Sequence, residues 1–213
     1  MHALEREIYS NTWITITLLF LLFLLAILKS FNSTKLKGTV FAIFKKGFVD
    51  EEIEENYSFF SGFNLILFSF YTIVISLVVY LFFGFFLNKF IPSFFSFTVI
   101  LLSVFCYLLA RWFLEYILSA LLEIRNEVHP FLSSKSLLLS SISFGFFILI
   151  IFIVYAFNNK NVFLFMGILL LFTRFLVFFT YNKKLIISKL FYFILYICIF
   201  ELGPLFILFK LIF

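Results

Sequence analysis

The chain has 213 residues, of which 64% are hydrophobic and 13% are charged. Soluble domains carry about 25% charged residues, so this chain lacks the polar surface that a water-soluble protein needs. Its net charge is +5, but the basic residues lie in connections between apolar runs, where they set orientation and contact anionic headgroups. The composition excludes a soluble domain and a nucleic-acid-binding protein. It predicts an all-α integral membrane protein in contact with membrane lipids.

Six apolar runs reach, or nearly reach, the roughly 20 helical residues that cross the hydrocarbon layer. We therefore predict a single transmembrane domain over residues 1–213, built as a bundle of six helices. The predicted spans are 12–28, 63–87, 94–118, 137–157, 162–181 and 188–213. The first span is predicted to be a retained anchor, because Glu5 and Glu7 precede it and no small-residue cleavage site follows it.

The first connection, residues 29–62, is the longest. Apolar residues recur in it every four positions, at Leu36, Val40, Phe44 and Phe48. With the lysines beside them, they predict an amphipathic interfacial helix that lies in the cytoplasmic headgroup layer. The acidic run that follows, residues 50–55, is either the solvated start of the second spanning helix or a docking surface for a basic partner.

Beyond the third span the helical pattern continues to residue 128, and His129-Pro130 is predicted to end it, because proline disfavours helix in the residue before it. Lys135 is then assigned to the third connection. Connections one, three and five hold ten basic residues, against four on the opposite side. Basic connections stay in the cytoplasm, which predicts that both termini are periplasmic.

Four ionisable residues lie inside predicted spans, where each costs about 2.5–3.5 kcal/mol to insert. They are Arg111, Glu115, Arg174 and Glu201. Arg111 and Glu115 are four residues apart and can pair on one helix face. Arg174 and Glu201 fall at similar predicted depths, so they are candidates for an interhelical ion pair, with Arg111 as a rival partner of Glu201. A proton or ion relay and a contact with another subunit are the alternatives.

A helix break is predicted at Gly203-Pro204, beside Glu201. Pro204 cannot donate to the carbonyl of Phe200 and its ring clashes there, so the last helix should be kinked. The freed carbonyl and the exposed backbone of Gly203 would form a polar niche that a carboxylate, a water or a cation could share.

The same stretch carries a family resemblance. Its signature residues are Tyr196, Cys198, Glu201, Pro204 and Lys210. Their spacing resembles the C-terminal signature of an uncharacterised Bacteroidota family of multi-pass membrane proteins, domain of unknown function 4271. Ile199 departs from that pattern, which commonly has Thr after the Cys. The resemblance implies a bacterial inner-membrane protein and supplies no reaction, cofactor or substrate.

No motif for catalysis or metal binding emerges. Cys106 and Cys198 lie in apolar spans, and His2 and His129 have no partners at ligand spacing, so we predict no metal site, no cofactor and no enzyme. The expected function is a non-catalytic subunit or assembly factor of a cell-envelope complex, with other membrane subunits or self-association as partners. The alternative is a small proton- or ion-coupled transporter or channel that uses Glu201 and Arg174.

Overall fold

The computed structural model describes residues 12–44, 47–48, 61–86, 93–121, 125–156 and 159–188. Within these ranges the regular structure consists of helices. The six principal helices are α1 (Thr12–Phe31), α2 (Ser33–Val40), α3 (Gly62–Phe86), α4 (Phe94–Leu121), α5 (Arg125–Tyr155) and α6 (Lys160–Ser188). The predicted all-α class is confirmed for the described residues.

Five of these helices, all except α2, are long and apolar enough to cross a membrane. They coincide with the first five predicted spans. The sixth predicted span, 188–213, lies outside the described residues apart from Ser188, and so does the kink predicted at Gly203-Pro204. The six-helix count and the single-domain organisation therefore stay predictions.

Several helices begin at a side-chain cap. Asn32 Oδ1 accepts from the backbone N–H of Lys35 at 3.0 Å at the start of α2. Ser61 and Ser93 cap α3 and α4 through their hydroxyl oxygens, at 3.3 and 3.1 Å. Caps of this kind satisfy amide donors that the first turn leaves without an intrahelical partner, so they fix where each helix starts.

Contacts between helices fix their directions. Trp13, at the start of α1, packs against Tyr80 near the end of α3 and Phe97 near the start of α4, with ring centroids 4.9 and 5.1 Å away. At the opposite end, Lys35 Nζ of α2 lies 5.4 Å from the ring centroid of Phe63, near the start of α3. We call this the α2 end of the bundle. Helices α1 and α4 run toward it, and α3 runs away from it.

Helix α5 runs parallel to α3. Phe144 of α5 stacks on Phe70 of α3 with ring centroids 5.0 Å apart. Near the α2 end, Ser141 Oγ donates to the carbonyl of Val40 at 2.9 Å, whereas the hydroxyl of Tyr155, at the last turn of α5, reaches Thr15 Oγ1 at 3.0 Å. Helix α6 starts beside the end of α3 and returns along α5 toward the α2 end.

The spanning helices differ sharply in burial. In the most apolar stretch of each helix, 67% of the residues of α5 and 50% of those of α3 are buried, against 11% for α4 and 6% for α6. We call α3 and α5 the inner helices and α4 and α6 the outer helices. Exposed apolar residues of the outer helices are suited to contact lipid chains, so the described core is centred on the inner pair.

The prediction that His129-Pro130 ends a helix is wrong. Helix α4 ends at Leu121, and α5 starts at Arg125 and runs through both residues. Pro130 is the sixth residue of α5, so it removes one backbone bond to the carbonyl of Asn126 near the helix start. That single loss does not stop a helix whose later turns are buried on several sides.

The helix in the first connection is shorter than its apolar pattern predicts. Helix α2 ends at Val40, and a turn follows over residues 41–44. After this turn the chain comes back, so that the ring of Phe48 packs onto α2 at Gly38. Only a glycine leaves room for that contact, since a Cβ at position 38 would overlap the ring. Leu36 and Val40 pack against the core, whereas Phe44 is 82% exposed. The four apolar residues therefore do not form one continuous helical face.

Candidate functional site

Lys135 is a buried cation on an inner helix. Its placement in a connection is wrong, because α5 begins ten residues earlier, and only 6% of its surface is exposed. Leu138, Leu139 and Ile142 follow at three, four and seven positions, which places the lysine on an apolar stripe of the helix. That spacing is the sequence signal that would have identified it.

An apolar cluster joins three helices next to this lysine. The rings of Phe68 and Tyr71 of α3 pack edge to face with centroids 4.9 Å apart. Leu108 of α4 is buried in the same cluster, and Leu139 of α5 packs against it. We call these four residues the Phe68 cluster. It fixes the relative depth of α3, α4 and α5 at one point.

Polar residues lie on one side of the Phe68 cluster. Asn64 and Lys135 each lie one turn before the cluster residue of their own helix, and Arg111 lies three residues after that of α4. Because α4 runs opposite to α3 and α5, each of these residues is displaced from the cluster toward the α2 end. The displacement along each helix axis is about 4–6 Å at 1.5 Å per residue. We call Asn64, Arg111 and Lys135 the polar junction.

The polar junction combines an amide with two cations in a setting of low exposure. Asn64 is 3% exposed, Arg111 is half-buried, and the neighbouring Ser134 is buried as well. A charged group that leaves water needs a counter-charge and hydrogen-bond partners to offset its lost hydration. The donors of Asn64, Arg111 and Lys135 are of the kind that bind an anion such as a carboxylate or a phosphate.

Buried hydroxyls in the inner helices serve the backbone. Thr72 and Ser76 of α3 donate to the carbonyls of Phe68 and Thr72 at 2.8 and 2.7 Å, and Ser143 of α5 donates to that of Leu139 at 2.9 Å. Such bonds satisfy the hydroxyl inside its own helix and leave a small side chain at the helix contact. They fit close helix packing.

Three of the four predicted intramembrane charges occupy the outer helices. Arg111 and Glu115 lie on α4, and Arg174 lies half-buried on α6, one turn after Leu170. Leu170 packs at Gly145 of α5, with its Cδ2 3.1 Å from where a Cβ would stand. The remaining predicted residues lie outside the described residues: Tyr196, Cys198, Glu201, Gly203, Pro204 and Lys210.

Metal-ligating side chains do not gather in the described part of the chain. Among the described residues no group of three or more His, Cys, Asp or Glu could hold a metal ion. Cys106 is a free, exposed cysteine on α4. The polar junction, with its amide and two cations, is the candidate site.

Comparison with known proteins gives one result. The family model described as "Domain of unknown function (DUF4271)" matches residues 14–212, which is almost the whole chain. No match to the chain is found among curated proteins or among solved structures. The family match extends well beyond the C-terminal signature on which the resemblance rested. The chain therefore belongs to the DUF4271 family of uncharacterised domains.

Proposed function

We propose that this protein is a non-catalytic membrane subunit or assembly factor of a bacterial cell-envelope complex. The observation that carries the proposal is the contrast between inner and outer helices: α4 and α6 bury 11% and 6% of their most apolar stretches, yet each carries a half-buried arginine. An arginine in a lipid-facing helix is costly, and polar groups on a further segment of the chain or on a neighbouring subunit would lower that cost.

Within the chain, the proposed source for Arg174 is Glu201. Arg174 lies 14 residues before the end of α6 at Ser188, and Glu201 lies 13 residues after it. If residues 189–213 return as a sixth helix, kinked at Gly203-Pro204, both residues lie about 20 Å from the connection. Arg111 on α4 is the rival candidate for the partner of Glu201.

We also propose that α2 lies in the headgroup layer. Hydrogen bonds join Thr15 of α1 to Tyr155 of α5, and Val40 of α2 to Ser141 of α5. From the level of the first bond, α1 reaches Phe31 after about 24 Å, and α5 reaches Ser141 after about 21 Å. Phe31 and Val40, on either side of α2, therefore lie at similar depth, although α2 itself is about 12 Å long. A helix across the bundle axis suits an interfacial position.

Orientation follows from the basic residues. Lys135 lies in a helix, but near the end of α5 that is at the α2 end, so it still counts with the predicted connections one, three and five. The ten-to-four excess of basic residues in these predicted connections favours a cytoplasmic location for them in a bacterial inner membrane, with both termini periplasmic. A non-enzymatic role is part of the proposal, and the buried hydroxyls that donate to their own helices support it.

The deciding experiment is affinity purification of the chromosomally tagged protein in mild detergent, with mass spectrometry of co-purifying proteins. We expect stoichiometric membrane partners, whose identity would supply the complex. A homogeneous particle made of this chain alone would contradict the subunit proposal. It would favour self-association or the alternative, a small transporter or channel.

Glu201→Gln separates the two functions. A subunit should lose partners or accumulate less, because an arginine loses its counter-charge. A proton or ion relay should assemble normally and lose only flux, measured in liposomes that carry a pH-sensitive dye. Glu7→Gln, a carboxylate outside every predicted span, is the matched control and should leave both readouts unchanged. Arg174→Gln should reproduce the Glu201→Gln result if these two residues pair, and Arg111→Gln should do so otherwise.

A further inference from the structure

We propose that the exposed residues around α2 bind an anionic phospholipid. The surface consists of two lysines and three phenylalanines, and we call it the basic–aromatic face: Lys29, Phe31, Lys37, Phe41 and Phe44. The inference rests on the proposed position of α2 in the headgroup layer. It adds the charge of the lipid and the residues that hold it.

The charge of this face comes from two exposed lysines. Lys29 lies in the last turn of α1 and Lys37 in the last turn of α2, and both side chains are exposed. Lys35 differs from them, because its Nζ lies 5.4 Å from the ring centroid of Phe63, a buried residue of the core. Because both ends of α2 lie at similar depth, the two exposed ammonium groups belong to one layer.

Helix α1 leads from lipid-facing residues to the first of these lysines. Leu22 is exposed and lies seven residues before Lys29, which is two turns earlier on the same side, and the exposed Leu19 lies beside it. Lys29 is about 24 Å along the helix from Trp13, close to the thickness of the hydrocarbon layer. A phospholipid whose chains lie along Leu19 and Leu22 would therefore place its phosphate near Lys29.

The exposed rings favour a lipid over a soluble partner. Phe31 ends α1, Phe41 follows Lys37 by one turn, and Phe44 lies at the end of the next turn, and all three rings are exposed. In a headgroup layer such rings enter the apolar boundary, while lysines beside them stay at the level of the phosphates. An acidic soluble protein would match the lysines, but it would leave the lipid-facing side of α1 unused.

Lipid retention tests the proposal. The full-length protein is reconstituted with equal amounts of phosphatidylglycerol and phosphatidylcholine and re-extracted in mild detergent, and the retained lipids are measured by mass spectrometry. We expect an excess of phosphatidylglycerol. A lysine at an anionic surface contributes a roughly fivefold preference, so Lys29→Gln and Lys37→Gln should each lower the ratio about two- to fivefold. No excess in the wild type, or an unchanged ratio in the double variant, would overturn the proposal.

Two further variants serve as controls. Lys160 is exposed at the first residue of α6, at the opposite end of the bundle, so Lys160→Gln should leave the lipid ratio unchanged. The double variant Lys29→Arg, Lys37→Arg should keep the preference, because a guanidinium also binds phosphate. An equal loss in Lys160→Gln would mean that the preference reflects net charge alone, and it would refute the basic–aromatic face.

Competition distinguishes the possible ligands of this face. The preference for phosphatidylglycerol should weaken as salt rises, because exposed charges are screened over about 10 Å at 0.1 M ionic strength. Excess inorganic phosphate at constant ionic strength should not displace the lipid, whose chains also contact the protein. Displacement by phosphate would assign a free-phosphate site. Loss of an acidic protein from the lysine variants, with unchanged lipid, would assign a protein-docking surface. Either result would overturn the proposal.

A depth measurement separates this inference from the position of α2. Phe44→Cys on a Cys106→Ala, Cys198→Ala background carries a fluorescent label, which a quencher on lipid headgroups should reach better than a quencher in water. Ile168→Cys, exposed midway along the apolar span of α6, is the control that neither should reach. A Phe44→Cys label quenched from water would refute the position and the inference together. Quenching by headgroups, with a lipid ratio insensitive to the lysines, would refute the inference alone.

Discussion

The inner and outer helices are all apolar, but they differ in what their side chains contact. Helix α5 buries serine hydroxyls and aromatic rings among its neighbours and packs Gly145 against Leu170, whereas α6 exposes residues such as Phe165, Ile168 and Phe172. All of these helices are apolar enough to enter a membrane, so hydropathy alone does not distinguish them. The comparison shows that packing between helices is specified by small and precisely fitted residues, while the outer faces need only be compatible with lipid.

This contrast also separates two kinds of polar residue. Hydroxyls of the inner helices bond within their own helices and allow close contact, as for Thr72 and Ser143. The charges on the outer helices, Arg111 and Arg174, are of a different kind, because a guanidinium has five donors and carries a charge that a carbonyl does not neutralise. Functional interpretation therefore belongs to the charges, and structural interpretation belongs to the hydroxyls.

The largest effect should come from a ring at the centre of the inner pair. Phe70 is fully buried and stacks on Phe144, so Phe70→Ala should lower the free energy of unfolding by about 3 kcal/mol. Phe172→Ala on α6, where the phenylalanine is 59% exposed, should change it by less than about 0.5 kcal/mol. Unfolding in mixed micelles with increasing sodium dodecyl sulfate measures both. Equal losses would abolish the distinction between inner and outer helices.

An intermediate effect should come from two glycines. A Cβ at Gly145 would stand 3.1 Å from Leu170 Cδ2, whereas one at Gly167 would meet nothing within 4 Å. Gly145→Leu should push α6 from α5 and cost about 1–3 kcal/mol in the same unfolding assay. Gly167→Leu, the matched control on the outer helix, should be tolerated. A tolerated Gly145→Leu would show that this contact is loose.

The smallest effect should come from a single interhelical hydrogen bond. Ser141→Ala removes the bond from Oγ to the carbonyl of Val40, at 2.9 Å, and should cost about 0.5–1 kcal/mol. Faster proteolysis of the turn at residues 41–44 should accompany it. Ser103→Ala is the control, because that hydroxyl bonds to the carbonyl of Val99 in its own helix, at 2.8 Å. Equal proteolysis rates in the two variants would mean that Ser141 does not hold α2.

Sequence reasoning is strongest where composition decides the outcome. The first five spans follow from apolar length, and Arg111 and Arg174 lie in helices as their apolar surroundings predict. It fails where long-range packing overrides a local rule. Pro130 should end a helix on local grounds, which would place Lys135 in a connection, but both residues lie inside α5. Which helices touch, and at what depth, depends on contacts such as Phe70 with Phe144 that no single helix reveals.

The pairing of each outer helix with one inner helix has a mechanical consequence. Helix α4 packs chiefly on α3, and α6 packs chiefly on α5, whereas each inner helix also contacts other helices of the bundle. A force applied to one outer helix therefore reaches the rest of the described bundle mainly through a single neighbour. A force applied to an inner helix is shared among several neighbours at once.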